Sequence, residues 1–395
     1  MTPTVRLYHH EPARRFTATV IGHGRLGDRT TAVLDRTGLY PEAGGQLADR
    51  GTLCVADDAL PVLDVQVDDA GVVHHVVDGP LPAIGATVAG EVAWPRRRLH
   101  MALHTGQHLL SRALIEAAGA PTVSARLGAE ATIDVTRDAI PERELAAAEA
   151  LANQIIDDDV DVRAWFPEPD ELAALPLRRE PKVEREIRVV AIGDFDVSPC
   201  GGTHCTRTGQ LGAIRIVATE RYKGMTRVTF AAGARTRELL GSQATALGEV
   251  ARALSCGPLD VPAVVDKLRR SLTEARADAV AVRERLALAL AAVHAPVAGP
   301  GRVALTVDEV ALLRPLAAAL GRRGRDALLA AATADGWQVL LARADGSALD
   351  CGALWKRLAA ATGGRGGGKP THAEGRLPAG LDWTAALTAA LGEAG

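Results

Sequence analysis

Two histidines four residues apart, His104 and His108, and a cysteine and histidine with the same separation, Cys200 and His204, are the residues of this chain best suited to chemistry. On an α-helix a spacing of four puts both imidazoles on one face, one turn apart. Cys200-Gly201-Gly202-Thr203-His204 adds a thiolate and an imidazole from a glycine-relaxed turn. Neither pair is specific alone, but together they form a nitrogen and sulfur set that suits a tetrahedral zinc ion. His100 stands four residues before His104, so helix spacing does not by itself choose two of the three histidines. No Glu follows His104, so the helix lacks the general base of the His-Glu-x-x-His metalloproteases. His74 and His75 point to opposite faces of a strand and stay outside the set.

The elements that must carry these residues follow from patterning. Pro95 and the basic run Arg96-Arg97-Arg98 lead into a helix bearing Leu99, Leu103, Leu110 and Leu114, with proline where a helix start tolerates it. Residues 1 to about 95 are β-rich, with strand signals at Phe16 to Val20 and Val72 to Val77. Within them, Gly38 to Gly51 is dense in glycine. It reads either as a hairpin with unusual backbone angles or as a loop that closely approaches another domain or an RNA end. With no Lys-Ser/Thr ending it is not a phosphate-binding P-loop. Glu142 to Ile156 reads as an amphipathic helix, and residues 157–181 as irregular connection with one short helix. From about residue 236, Leu268, Leu272, Ala275, Ala279, Val282, Leu286, Ala289 and Val293 form a heptad seam. That seam serves a homodimer or a hairpin within one chain equally. In the last hundred residues, buried-strand candidates at Val303 to Val307, Ala327 to Ala331 and Val339 to Ala342 precede a glycine-rich loop, Gly363 to Gly375.

Composition sets the bounds. At 395 residues and 47% hydrophobic, with no long uncharged apolar run, the chain should hold two to four well-cored domains and no membrane span. Its N-terminus lacks signal-peptide features, and its five cysteines are too scattered for a disulfide framework, so a cytoplasmic location is expected. A net charge of -3 excludes a wholly basic nucleic-acid protein and leaves polyanion contact to local patches such as Arg96 to Arg98, Arg269-Arg270 or Arg322-Arg323.

The run His100 to Ser111, the Gly38 to Gly51 loop and Asp196 to His204 resemble the free-standing AlaX alanyl-tRNA editing proteins and the editing region of alanyl-tRNA synthetase. The likeness continues through Ile133-Asp134, Thr208-Gly209 and Lys223 to Val228 and covers residues 10 to about 240. It implies hydrolysis of the ester on mischarged tRNA(Ala), with serine the chief wrong amino acid and glycine a second. It also implies zinc ligation by His104, His108, Cys200 and His204, with His100 a neighbouring or packing residue. Thr105, Ser124 and Arg126, with Thr122 beside them, become the candidate catalytic and pocket-wall residues. There, a group that pairs with a serine hydroxyl would be stranded by alanine. No Gln lies between Pro121 and Arg126, where synthetase editing regions often carry one. The Gly363 to Gly375 loop resembles the DHH-associated domain at the synthetase C-terminus, which implies tRNA contact.

The expected fold is α+β, with a small β-rich N-terminal domain (1–95), a zinc-binding α+β editing domain (96–235), a helical arm (236–295) and a C-terminal α/β module (296–395). Two rivals stand: editing of another aminoacyl-tRNA, since threonyl editing domains share the ligand pattern, and a tRNA-binding protein with a purely structural zinc. The chain carries no recognisable aminoacylation domain.

Overall fold

The computed structural model describes all of residues 1–395 except 1, 11–12, 57, 182–185 and 393–395. The fold is mixed α+β and divides into two compact units, Met1–Glu249 and Val250–Gly395.

The first unit opens with a closed barrel. Its strands β1 (Arg15–Leu26), β2 (Arg29–Leu34), β3 (Gly51–Val55), β4 (Asp58–Val67), β5 (Val73–Val77) and β6 (Thr87–Val92) close in the order β1-β2-β5-β4-β3-β6. Alternation in β1 and β6 sends Phe16, Ala18, Val20, Val88 and Val92 inward and leaves their neighbours more exposed. His74 and His75 do part to opposite faces. His75 is fully buried between Thr37 Oγ1 (2.8 Å) and the Ala32 carbonyl (3.1 Å), while His74 sits between Thr31 Oγ1 and Asp68.

Helix α1 (Trp94–Ala118) follows, with Pro95 in its first turn and Gly119 closing it in the left-handed conformation at φ 57°. Arg97 is fully buried, bonded to Asp49 and to the Gly38 carbonyl (2.6 Å), so it stitches α1 to the glycine-dense loop. The middle residue of the basic run is therefore internal, while Arg96 is half-buried and Arg98 exposed. Strands β7 (Thr122–Leu127) and β8 (Ala131–Val135) come next, then α2 (Glu142–Asp157), β9 (Val162–Trp165), α3 (Pro169–Ala174), β10 (Val189–Ile192), β11 (Asp196–Pro199), β12 (Ile214–Tyr222), β13 (Met225–Ala232) and α4 (Ala234–Ala253). One sheet has the order β12-β13-β8-β7 and a smaller one β9-β10-β11. The 157–181 segment thus contains a strand, β9, that composition hides: only Val162 to Trp165 carries strand-forming residues, and its partner lies far along the chain. Leu127, Ala131, Ile133, Val228 and Phe230 face α1 in one core with Leu103, Leu110 and Leu114.

The second unit holds α5 (Val261–His294) and a five-stranded sheet. Its strands are β14 (Gly301–Val307), β15 (Arg325–Thr333), β16 (Gly336–Ala342), β17 (Arg365–Lys369) and β18 (His372–Pro378), in the order β14-β15-β16-β18-β17. β14 and β15 pair in parallel, with α6 (Leu313–Gly321) between them in sequence. α7 (Cys351–Thr362) and α8 (Trp383–Gly392) pack on each other and share a core with β15, β16 and β18. α5 meets α6 through Ala287, Leu290 and Ala291, not through the heptad seam, of which Leu268, Leu272, Val282, Leu286 and Val293 are 46–70% exposed. The glycine-rich stretch is no loop: Arg365 to Lys369 forms the exposed edge strand β17, paired with β18. Glycine suits it because a Cβ at Gly366 or Gly368 would fall 2.4 or 2.3 Å from atoms of β18. Among the described residues no helix is long and apolar enough to cross a membrane.

Candidate metal centre

His104 and His108 leave α1 on one face, and the turn after β11 brings Cys200 and His204 over them. The four ligand atoms all lie within 4.8 Å of one another, and the three imidazole centroids are 4.4–5.4 Å apart. Cys200 Sγ is 3.3 Å from both His104 Nε2 and His204 Nε2. An ion held at ~2.0–2.3 Å by nitrogen and sulfur at tetrahedral corners would set its donors about 3.3–3.6 Å apart, the size of the two Cys200 distances. Gly202 shows why the turn is glycine-rich, since a Cβ there would stand 2.1 Å from the His104 ring.

Each histidine is oriented from behind. His104 Nδ1 donates to Gln46 Oε1 at 2.8 Å, His108 Nδ1 to Asp196 Oδ2 at 3.1 Å, and His204 Nδ1 to Thr105 Oγ1 at 3.2 Å. With Nδ1 occupied in all three, Nε2 carries the free lone pair toward the centre, the arrangement metal-binding histidines require. These supports are themselves held. Gln46 also accepts from Thr203 N (3.2 Å) and donates to Thr203 Oγ1 (2.9 Å), Asp196 is gripped by Arg178 Nε (2.6 Å), and Thr105 Oγ1 accepts from Cys205 N (3.0 Å). Arg188 Nη1 donates to the carbonyls of Cys200 (3.0 Å) and Gly202 (2.9 Å), and His9 Nε2 lies 3.2 Å from that of Gly201.

The electrostatics of Cys200 and His204 agree. Burial alone would raise the Cys200 thiol, but the adjacent His104 and His204 outweigh it and hold the group well below its usual range, toward thiolate. Burial, then the neighbouring His104, pushes His204 down to about 3, so it stays neutral. Burial works against ionising Asp196, yet its bonds to His108 and Arg178 prevail and bring it down to about 2. Cys205, pushed up to about 11 mainly by burial, remains a thiol.

The other sequence candidates fall in different places. Thr105 is fully buried beside His204. Thr122 Oγ1 bonds Ser111, and His100 is buried near the start of α1 with neither ring nitrogen partnered among the described residues. Ser124 bonds Asp134 (2.8 Å), which pairs with Arg227 (2.7 Å). Strand alternation puts Ser124 and Arg126 opposite Asp134 and Thr132, on the face turned away from α1, and Arg126 is exposed. Neither joins the donor set. Gln46, Asp196 and Arg188 are the residues that motif spacing missed. Asp196 and Gln46 lay inside quoted motifs, but nothing local marked them as supports.

The glycine-dense loop resolves toward close approach. Gly45, at φ 87°, passes so near β7 that a Cβ would sit 2.4 Å from the Ala125 carbonyl, and Leu127 N donates to Gly45 O at 2.7 Å. That contact delivers Gln46 to His104.

Two family models match: the threonyl and alanyl tRNA synthetase second additional domain, over residues 187–229, and the class II (A) tRNA synthetases, over residues 17–96. The first covers β10, β11 and the Cys200 to His204 turn, and the second covers the barrel. The chain is alanyl-tRNA synthetase-like. It is 33% identical over 394 residues to the alanine–tRNA ligase of Halorubrum lacusprofundi, a match covering 95% of this chain and 42% of that protein. The ligase of Pyrococcus abyssi is 31% identical over 388 residues (95% and 42%), and that of Methanopyrus kandleri 37% over 278 residues (68% and 30%). The chain spans about two-fifths of the length of the curated relatives that it matches along most of its own length.

Proposed function

We propose that the chain is an aminoacyl-tRNA hydrolase that removes serine, and secondarily glycine, from mischarged tRNA(Ala), and that its four-donor centre holds zinc. The observation that carries this reading is the donor set itself: three histidines whose Nδ1 atoms are taken up from behind, gathered with a cysteine held toward thiolate. Such a mixture favours zinc over magnesium or calcium, which prefer oxygen. Bound there, zinc would supply the positive charge that an ester carbonyl needs as it becomes an oxyanion.

The chain's own part is to hold that geometry and keep it dry. An aminoacyl ester is already activated, so positioning and charge stabilisation are the main demands. Thr105, its hydroxyl taken up by His204 and Cys205 N, acts as a positioning residue. Ser124 and Arg126, on the outward face of their sheet, serve the surface the nucleic acid approaches. The exposed seam of α5 is the surface assigned to homodimer formation, and the glycine edge strand β17, flanked by Arg365 and Lys369, to tRNA contact.

One observation favours a second reading, a tRNA-binding protein with a structural metal: four protein ligands close a tetrahedral site. Deacylation of Ser-, Gly- and Ala-tRNA(Ala) by the wild-type chain and by Cys200→Ala, with bound metal measured in each, separates the two. The hydrolase reading expects Ser-tRNA(Ala) to be cleaved far faster than Ala-tRNA(Ala), and the variant to lose both metal and activity. Metal-free protein that still hydrolyses at full rate would end the metal's catalytic role.

A further inference from the structure

The first turn of α1 is built against its own electrostatics. A helix is positive at its start, where a carboxylate or a capping side chain normally steadies it. α1 has neither: Ala93 precedes it without a side-chain cap, its first turn holds no acid, and it carries Arg96, Arg97 and Arg98 in succession. Of these three, Arg97 alone meets a carboxylate among the described residues, that of Asp49. Burial, and then the neighbouring Arg50, hold the Arg96 guanidinium below its usual range in spite of Asp49.

A second helix brings another cation to the same place. α4 begins against α1, where a Cβ on Gly233 would stand 2.8 Å from that of Ala102, and Arg235 follows two residues later. Its Nη1 is buried and has no hydrogen-bond partner among the described residues. Glu238 and Arg96 are the charges that it feels, with opposite effect. His100 lies one turn after Arg96 on the same face of α1 and is 1% exposed. Burial, then the charges of Arg96 and Arg235, bring it down to about 4, so the ring is neutral and one of its nitrogens carries a proton. Neither nitrogen has a partner among the described residues. Two buried donors, the imidazole N–H and Arg235 Nη1–H, thus lack an acceptor in a place with an excess of positive charge. Such groups are costly to leave unpaired, and a polyatomic anion answers both the missing acceptor and the charge.

We infer that the start of α1, with Arg96, His100 and Arg235, binds a phosphate group of an RNA backbone. The planar fork of arginine matches phosphate oxygens, and a neutral imidazole adds one further donor. The inference rests on the reading of the chain as acting on tRNA. It concerns residues outside the metal donor set, none of which lines the cavity beside that centre. A backbone contact of this kind fixes the register of the nucleic acid and reads no sequence.

The test uses the full chain and uncharged tRNA(Ala), with affinity read by fluorescence anisotropy across a series of KCl concentrations. Arg235→Gln should bind about 10-fold more weakly at low salt, and the slope of log affinity against log salt should fall by about 0.7–0.9, the loss of one phosphate contact. Arg235→Lys keeps the charge and should keep the slope. His100→Leu removes a donor but no charge, so affinity should drop about 2- to 10-fold with the slope unchanged. A merely structural histidine would show itself differently, by a lower melting temperature of the RNA-free protein and an unaltered affinity, and that result overturns the inference. So does a slope that is the same in wild type and Arg235→Gln; either outcome leaves the hydrolase reading standing. Inorganic phosphate, compared with chloride at equal ionic strength, tests the other source of the same group. If it raises the melting temperature of the wild type and not of Arg235→Gln, while the RNA slope is untouched, the RNA backbone is overturned as the ligand. A wild type that binds no tRNA(Ala) at any salt concentration defeats the reading on which the inference rests.

Discussion

Replacing Gln46 with leucine, similar in size but without an amide, probes the support of the metal centre from the side farthest in sequence. The substitution strands two buried donors, His104 Nδ1–H and Thr203 N–H, and removes the partner of Thr203 Oγ1. At ~1–3 kcal/mol for each stranded buried donor, the metal-free protein should lose about 2–6 kcal/mol of stability. The metal should feel it separately: without Gln46 the His104 ring is free to rotate or exchange tautomers, and loss of such a support typically costs ~10–100-fold in affinity. Zinc affinity measured against a competing chelator, with thermal unfolding of the metal-free protein alongside, reads both effects. Gln46→Glu is the companion variant. Its carboxylate still accepts from His104 and Thr203 N, and the Thr203 hydroxyl can donate to it in place of the lost amide donor, so zinc binding should stay near wild type. If Gln46→Leu lowers stability but leaves zinc affinity within about twofold of wild type, the loop merely props the barrel against the sheet.

Gly45→Ala should destabilise by more than about 2 kcal/mol and lower zinc affinity together, because a Cβ there meets the Ala125 carbonyl at 2.4 Å and φ is 87°; thermal melts and the same chelator competition check both. His75, which burial pushes down to about 4, is held neutral by donating to the Ala32 carbonyl and accepting from Thr37. Its unfolded form takes up a proton near pH 6.5, so the stability it contributes is complete above that value and falls as pH drops toward 4, by about 3 kcal/mol in total. Urea unfolding at pH 7 and pH 4 should show a smaller difference between the two pH values in His75→Gln than in wild type. Leu272→Glu combined with Leu286→Glu, on the exposed seam of α5, should turn a dimer into a monomer by sedimentation without changing the circular dichroism spectrum; an unchanged mass in both forms rejects the seam as an interface.

What could be read from the sequence was whatever repeats at short range. Both donor pairs obey a local spacing, but spacing left His100 beside them and the family resemblance chose His104 and His108; α1, α2 and the first three strands of the C-terminal sheet were visible in their apolar residues. What escaped depends on partners distant in the chain. Strand β9 has only four residues, and its pairing with β10 spans a segment rich in proline and charge. Gly363 to Gly375 read as a loop because glycine carries no periodic signal, whereas in the sheet the missing side chains are what let Trp355 and β18 come close. Arg97 seemed a surface cation until Asp49, 48 residues away, paired with it inside the protein. Ser124 and Arg126 were chosen by residue type, and type says nothing about which face of a strand looks toward α1.

The tie between Gln46 and His104 also bears on how this protein could be divided. A fragment starting near residue 95 would keep all four donors and the whole of α1, and on paper it is a complete metal-binding domain. It would lack the amide that orients its first histidine, the carboxylate that neutralises Arg97 and the imidazole beside the Gly201 carbonyl. Cutting there severs few strands of sheet yet leaves the centre slack, so the barrel and the domain that follows are expected to be inherited, lost and transplanted as one piece.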